Sequence, residues 1–255
     1  MIRMLTCFLA ATLGAVATAA FGETPGQRAY ADLVEYVDVI RFSPAFDECL
    51  DATKAHQCVR GPRSGTGLGL AVHDWMRDEL VAILGAANVS RQTLGFARFV
   101  PQDYSLSVET EGEPFHPAVY PWYYKGVTPP EGVTAPLADV GGGTAAEYAL
   151  AGNVSGKIVV LHTPLALNAG PIAYTQGGFQ RALDGGAVGM VIAPQAPGNE
   201  LVAFNADARA GMGPLPTVVV GKVDGARLAE LDGRLATLLV VATIDSGAEV
   251  TNEIG

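Results

Sequence analysis

Three apolar runs rich in β-branched residues, separated by helix-length segments, dominate the second half of the chain. They lie within GKIVVLHTP from Gly156, QRALDGGAVGMVIAPQ from Gln180 and PLPTVVVGKVDGARLAEL from Pro214. Short apolar runs bounded by glycine or proline indicate strands, whereas the segments after the first and the third run have the length and pattern of helices. The sequence therefore predicts strands that alternate with helices, which is a mixed α/β fold.

The first 22 residues differ from the rest of the chain. Arg3 gives a short positive start, Met4–Phe21 is an almost uninterrupted run of apolar and small residues, and Ala17-Thr18-Ala19 offers the small residues that a signal peptidase accepts. This composition predicts a signal peptide over residues 1–22 and a secreted or periplasmic protein. A membrane anchor is the alternative, since the run is about long enough to enter a bilayer.

The charge balance restricts the partners of this protein. The chain carries 26 acidic and 16 basic residues, a formal net charge of −10. Nucleic-acid binding needs basic patches that neutralise phosphates, so an acidic exported protein is excluded from that class. No apolar run after the leader is long enough to span a membrane. We therefore expect neither a nucleic-acid partner nor a membrane partner once the signal peptide is removed.

Two cysteines follow the leader, Cys49 and Cys58, with eight residues between them. In an oxidising compartment such a pair most simply forms a disulfide that closes a small loop, worth about 2 to 3 kcal/mol in the chain-entropy model. A metal site is the alternative, because His56 lies two residues before Cys58. Two thiols and one imidazole without a nearby fourth ligand make a poor structural zinc site, so we predict the disulfide.

Two helices and a strand are predicted between the leader and the middle of the chain. Apolar residues recur at helical spacing from Gln27 to about Ile40, which indicates an amphipathic helix. A second helix ends at Gly85, and Arg91–Val100 is predicted to be a strand, with another beginning at Ser105. The apolar stripe of the second helix consists of Val72, Met76, Leu80 and Ile83.

The middle of the chain, from Pro114 to Pro136, is rich in proline, glycine and aromatic residues, which predicts irregular or short-stranded structure. Two interpretations of its aromatic residues stay open. They form a binding surface for a peptide or sugar, or they pack between two sheets. The residues concerned are Tyr120, Trp122, Tyr123 and Tyr124.

A glycine-rich stretch, Gly141-Gly142-Gly143-Thr144, precedes a predicted short helix over Ala145–Leu150. Thr144 and Glu147 have the spacing of a capping box, in which the two residues cap the helix reciprocally. The stretch also resembles a phosphate-binding loop before a helix, but it lacks the lysine and the spacing of a P-loop. A turn that leads into a capped helix is the simpler interpretation.

The order of these elements from Val108 to Ile244 resembles the protease-associated (PA) domain. The resemblance implies a PA-type swivelling β/β/α domain with flanking helices, preceded by an N-terminal helical segment and a strand. In that family the domain is usually an accessory to a hydrolase and carries no catalytic group of its own. The resemblance therefore points to a role beside an enzyme.

The segment upstream resembles the opening of PA-containing zinc exopeptidases, the group of bacterial secreted aminopeptidases, glutamate carboxypeptidase and the transferrin receptor. Gly65-Thr66-Gly67, the Leu70–Leu84 helix and the Thr93–Val100 strand take the places of the turn, helix and first catalytic strand of that group. Asn252-Glu253-Ile254-Gly255 resembles the short sequence with which the catalytic domain of that group resumes after the PA domain. The implied division is a signal peptide (1–22), the start of an incomplete peptidase domain (23–105), a PA domain (106–246) and a resuming stub (247–255).

The zinc ligands of that group begin with a His-x-Asp motif farther downstream, and nothing in this chain matches it. The four histidines, His56, His73, His116 and His162, are scattered, and none lies two residues before an acid. His162 ends a predicted strand and could line a cleft, although a strand-end residue with satisfied hydrogen bonds is the simpler interpretation. We predict no catalytic residue and no metal ligand in this chain, with zinc expected only in a full-length parent.

Three functional hypotheses follow. In the first, the chain is the N-terminal portion of a secreted zinc exopeptidase and contributes to substrate access or recognition, with a peptide or protein substrate or the missing catalytic domain as its partner. In the second, it is a self-contained exported PA-type module that binds a peptide or protein. In the third, it is a hydrolase of another kind with an unrecognised site.

Overall fold

The chain forms two units in the computed structural model. The structure describes residues 25–36, 48–49, 58–59, 67–164, 170–201 and 213–254. The first unit comprises Met1–Asp47, Arg60–Arg91 and Asn252–Gly255, and the second comprises Glu48–Val59 and Gln92–Thr251. The predicted signal peptide, His56 and the Gly65-Thr66 turn lie outside the described residues. The domain limits inferred from the sequence stay predictions.

The described residues of the first unit include two helices, as the apolar periodicity predicts. Helix α1 spans Pro25–Glu35 and helix α2 spans Gly67–Leu84. Arg28 of α1 donates hydrogen bonds to Asp32 in the same helix at 2.9 Å and to Glu79 of α2 at 2.5 Å. This charged contact links the two helices on an exposed surface. In the parts of the chain that the structure describes, no helix has both the length and the apolar character needed to cross a bilayer.

The apolar stripe predicted on α2 is only partly covered, since Leu80 is half-buried and Val72 alone of its four residues is fully buried. Val72 is buried and packs with Tyr36 and Trp75, whose ring centroids lie 6.1 Å apart. Met76 is 41% exposed and Ile83 is 73% exposed. The described part of the first unit is therefore too small to cover the apolar face of its longer helix.

The second unit begins with a short hairpin and is built around a seven-stranded sheet. The hairpin pairs β1 (Glu48–Cys49) with β2 (Cys58–Val59) in antiparallel orientation. The sheet has the order β3-β9-β5-β6-β7-β8-β4. Its strands are β3 (Ser90–Val108), β4 (Val119–Pro121), β5 (Val133–Asp139), β6 (Ile158–Thr163), β7 (Gly189–Pro194), β8 (Thr217–Val220) and β9 (Leu235–Ile254).

Four neighbouring strands, β5 to β8, are parallel, and β4 and β9 are antiparallel to their neighbours β8 and β5. Parallel strands need crossover connections, which are usually helical. Helices α3 (Ala145–Ala151) and α4 (Gly170–Asp184) provide the first two crossovers, and α5 (Lys222–Glu230) follows β8. The alternation of strands and helices predicted from the three apolar runs is thus confirmed.

Both faces of the parallel strands are buried, which explains their continuous apolar sequences. All six residues of β7 are buried. In β6, Ile158 and Val160 belong to one hydrophobic cluster, whereas Val159 and Leu161 belong to a second cluster. Because successive side chains point to opposite faces of a sheet, the two clusters lie on its two sides.

The first long strand differs from the sequence prediction. The sequence suggested one strand over Arg91–Val100 and another beginning at Ser105, but β3 runs without a break from Ser90 to Val108. Pro101 lies within it. Proline cannot donate to a ladder of hydrogen bonds and is tolerated chiefly at the edge of a sheet. The position of β3 at the edge accounts for this uninterrupted strand.

The aromatic residues of the middle segment are mostly core residues. Tyr120, Trp122 and Tyr123 are 4%, 2% and 8% exposed. Tyr120 packs edge-to-face on Tyr104 with ring centroids 5.5 Å apart, and Tyr123 packs on Phe99 at 5.2 Å. Because these contacts join β3 to β4 and the residues just after it, they bring the two outermost strands of the sheet together. Their burial favours packing over a binding surface formed by these three rings.

Tyr124, the fourth aromatic residue, fastens this segment to the edge strand. Its hydroxyl donates to the Ala97 carbonyl at 2.7 Å and accepts from the Phe99 N–H at 3.1 Å. The backbone of Tyr124 has φ of 60°, a left-handed conformation that a bulky residue rarely adopts. The surrounding contacts thus hold a strained residue in place so that one hydroxyl satisfies two backbone groups of β3.

Tyr124→Phe is expected to lower the free energy of unfolding by roughly 1 to 3 kcal/mol, because the Phe99 N–H and the Ala97 carbonyl lose their partner while the ring remains. Urea unfolding at neutral pH measures the change. Tyr30→Phe is the matched control, since Tyr30 is 70% exposed. An equal effect of the two substitutions would contradict the bridging role.

Candidate functional site

An aspartate and a histidine meet at the carboxyl edge of the parallel strands. Asp139 ends β5, and His162 is the penultimate residue of β6. The carboxyl ends of parallel strands lie at the same edge of a sheet, where ligands of open α/β folds bind. Asp139 Oδ2 lies 2.7 Å from His162 Nε2, and the two side chains are 22% and 20% exposed. The pair is therefore partly accessible, which makes it a candidate functional site.

Backbone groups fix this pair in position. Asp139 Oδ1 accepts the Gly141 N–H at 2.7 Å, and the His162 N–H donates to the Gly141 carbonyl at 2.8 Å. The Asp139 N–H donates to Asp232 Oδ1 at 2.9 Å. Partial burial raises the pKa of the Asp139 carboxyl, but the hydrogen bonds from His162 and Gly141 outweigh it, so the net pKa is lowered. These hydrogen bonds thus favour the ionised form of the Asp139 carboxyl and hold it beside the His162 ring.

A carboxylate of the same chain accepts hydrogen bonds from backbone N–H groups of the glycine-rich loop after β5. Glu147 Oε1 accepts the Gly142 N–H at 2.9 Å, and Oε2 accepts the Thr144 N–H at 2.9 Å and the Thr144 hydroxyl at 2.6 Å. These hydrogen bonds lower the pKa of Glu147 to about 2. The predicted capping box is confirmed, because Thr144 Oγ1 also accepts the Glu147 N–H. The donors that a phosphate would need are already occupied by Glu147, which favours the interpretation as a turn before a capped helix.

Close packing of α4 holds the same loop from the other side. Arg181 Nη1 donates to the Gly143 carbonyl at 2.8 Å, and the Tyr148 hydroxyl donates to the Gly178 carbonyl at 2.7 Å. Burial raises the pKa of Tyr148 to about 12. Gly143 has φ of 77°, and a methyl group at this position would overlap Leu161. The loop is therefore a fixed structural element that glycine makes possible.

The chemistry available to the pair is limited by its surroundings. A carboxylate that orients an imidazole is half of a general-base arrangement, which also needs a nucleophile or a polarised water. Among the residues that the structure describes, neither Asp139 nor His162 is hydrogen-bonded to a serine, threonine or cysteine side chain. The same residues contain no group of three or more His, Cys, Asp or Glu side chains placed to hold a metal ion. The arrangement supports anchoring of the strand ends more directly than it supports a reaction.

The structure also locates the other residues selected from the sequence. Cys49 and Cys58 are directly opposite in the β1–β2 register. His73 lies on α2 beside Asp74, which pairs with Arg91 at 2.7 Å, and His116 is exposed after β3. The expectation that this chain has no catalytic residue and no metal ligand stays a prediction.

The Asp139–His162 pair was not predicted as a unit. The sequence predicted that His162 ends a strand. It did not predict β5, which ends at Asp139, because prolines and glycines lie in and before that strand. Pairing in the sheet, with Asp139 aligned to Val160, brings Asp139 beside His162. The available signal was one-sided, because only His162 lies near the end of a continuous apolar run.

Lowered pKa values at this site predict loss of stability in acid. Glu147 has a folded-state pKa of about 2 against an ordinary 4.5, so between these values the unfolded chain binds more protons than the folded one. Its stabilising contribution is complete above about pH 5 and is lost as the pH falls towards about 2; Asp139 acts in the same direction. Glu147→Gln, which keeps a capping amide, is expected to flatten the stability curve in this window.

Urea unfolding at a series of pH values from about 2.5 to 6 measures this change. The matched control is Glu131→Gln, at an exposed position in the loop before β5. Identical slopes for the wild-type protein and Glu147→Gln would contradict the assignment.

Comparison with known proteins gives similarity at the level of the fold. No protein-family model matches the chain, and no curated protein matches it. The zinc aminopeptidase BSAP from Bacillus subtilis is similar in structure, with a TM-score of 0.62 and 18% identity over 88% of this chain and 45% of the aminopeptidase. A peptidase M28 precursor from Shewanella amazonensis has a TM-score of 0.57 and 18% identity over 87% of this chain and 48% of its own.

The chain spans less than half the length of these two peptidases. At this identity the similarity establishes the architecture and not the activity. The protein therefore has a mixed α/β fold, with a seven-stranded mixed sheet, that is similar to part of the fold of M28-type zinc aminopeptidases.

Proposed function

We propose that this chain is the N-terminal portion of a secreted zinc-dependent exopeptidase, and that its second unit is a PA domain that controls substrate access or recognition. The observation that carries the proposal is the similarity in fold to BSAP, which extends over 88% of this chain and 45% of the aminopeptidase. The similarity to the M28 peptidase precursor has nearly the same extent. Agreement between two different peptidases supports a common arrangement.

Features of the second unit support an accessory role. Its parallel strands are covered on both faces, and Asp139 and His162 are tied into backbone hydrogen bonds at the strand ends. Glu147 fills the glycine-rich loop that resembles an anion site. Each of these polar groups stabilises the fold through hydrogen bonds within the chain. This supports a domain that shapes a cleft or limits access to it.

The zinc of the proposed parent has no suitable donor set in the described part of this chain. A catalytic zinc site takes three protein ligands and leaves one position for water. The Asp139–His162 pair offers two donor side chains, and these hydrogen-bond to each other at 2.7 Å. We therefore assign no catalytic step to zinc in this chain and place its ligands in another part of the parent.

A self-contained binding module is the second candidate. It is favoured by the two hydrophobic clusters of the second unit, which together supply a substantial core. Against it, the described part of the first unit exposes Tyr30 at 70%, Leu33 at 56% and Ile83 at 73%. Large exposed apolar side chains on these two helices favour a protein in which another segment covers them.

The coding DNA beyond the codon for Gly255 distinguishes the two candidates. An open frame that continues into a His-x-Asp motif is the result expected for an exopeptidase. A stop codon directly after Gly255 in the genomic DNA would reject that proposal and leave the binding module.

The exported chain, without its leader, is expected to show no aminopeptidase turnover, because its described residues supply no zinc site. Release of p-nitroaniline from amino-acid p-nitroanilides, with and without added zinc, measures this. Buffer with the same zinc is the control for uncatalysed hydrolysis. Turnover that persists through purification and disappears in His162→Ala would show that the site has been assigned the wrong role.

A further inference from the structure

The hairpin β1–β2 aligns its two cysteines directly opposite each other in the backbone ladder. Cys49 is aligned with Cys58, and Glu48 with Val59, in an antiparallel ladder. Residues directly opposite in such a ladder have Cα atoms about 4.5 to 5.5 Å apart. Disulfides join residues whose Cα atoms are about 4.4 to 6.8 Å apart. The backbone therefore holds this pair within bridging distance, which the spacing in the sequence alone did not establish.

The position of the pair within the hairpin also favours an intramolecular bridge. Cys49 ends β1 and Cys58 begins β2, so they are the pair nearest the connecting segment. A bond between them closes the chain through the eight residues from Leu50 to Gln57. Strand pairing at this position already brings the two residues together, so little further chain ordering is needed.

We propose that Cys49 and Cys58 form an intramolecular disulfide in the exported protein. The proposal rests on the export assumed in the proposed function, because disulfides persist in oxidising compartments. Formation breaks two S–H bonds and makes one S–S bond. The two electrons and two protons pass to an external disulfide, which is reduced to two thiols.

The division of the chain into units gives this bridge a defined place. Glu48–Val59 belongs to the second unit, whereas Met1–Asp47 before it and Arg60–Arg91 after it belong to the first unit. The chain therefore enters the second unit and leaves it again within twelve residues. The disulfide covalently joins β1, by which the chain enters the second unit, to β2, by which it leaves.

Tryptic mapping tests the bridge directly, because Lys54 lies between the two cysteines. The exported chain is alkylated with iodoacetamide without reduction, denatured and digested. Cleavage after Arg41, Lys54 and Arg60 produces one peptide with each cysteine, residues 42–54 and 55–60. The expected result is one species with the summed mass of the two peptides less two hydrogens, which separates into both peptides on reduction.

The control variant Cys49→Ser is expected to release peptide 55–60 with an alkylated thiol and without a partner. Two alkylated peptides from the wild-type chain would overturn the proposal. A species that links two copies of peptide 42–54 would overturn it too, because that bond joins two chains. The mapping is independent of peptidase activity. A stop codon directly after Gly255 in the genomic DNA, together with the linkage, would leave this inference standing while rejecting the exopeptidase proposal.

Discussion

Burial of both faces of the parallel strands is the constraint on which the second unit depends. Neighbouring residues of β6, such as Val159 and Val160, enter opposite hydrophobic clusters, so each strand must be apolar along its whole length. Backbone hydrogen bonds to β5 and β7 satisfy its polar groups. Helices α3 and α4 cover one face, and β3, most of the aromatic segment and helix α5 cover the other. The positions of Asp139 and His162 at the strand ends follow from this arrangement.

This constraint also explains how much of the fold could be predicted from the sequence. Continuous apolar runs and intervening helix-length segments identified β6, β7, β8 and their helices, because burial on both faces leaves a pattern in composition. β5 was missed, since its proline and its partly exposed residues lack that pattern. The continuity of β3 through Pro101 depended on its place at the sheet edge, which is a property of the assembled sheet.

The candidate site was harder to predict because it is made by register and not by local sequence. Asp139 and His162 are 23 residues apart and meet only when β5 and β6 align. Thr144 and Glu147 are three residues apart, and their capping interaction was visible in the sequence for that reason. Local hydrogen-bonding motifs could thus be recognised in advance, whereas contacts across the sheet required the structure.

The hydrogen bonds of the Tyr124 hydroxyl also affect whether a strand of another molecule can pair with β3. An edge strand with unpaired backbone groups is a template on which a foreign strand can add, and nineteen residues make β3 a long template. The hydrogen bonds from Tyr124 to Ala97 and Phe99 occupy groups in the middle of this edge. Because the Phe99 N–H and the Ala97 carbonyl are already hydrogen-bonded to Tyr124, they are not available to pair with a strand of another chain.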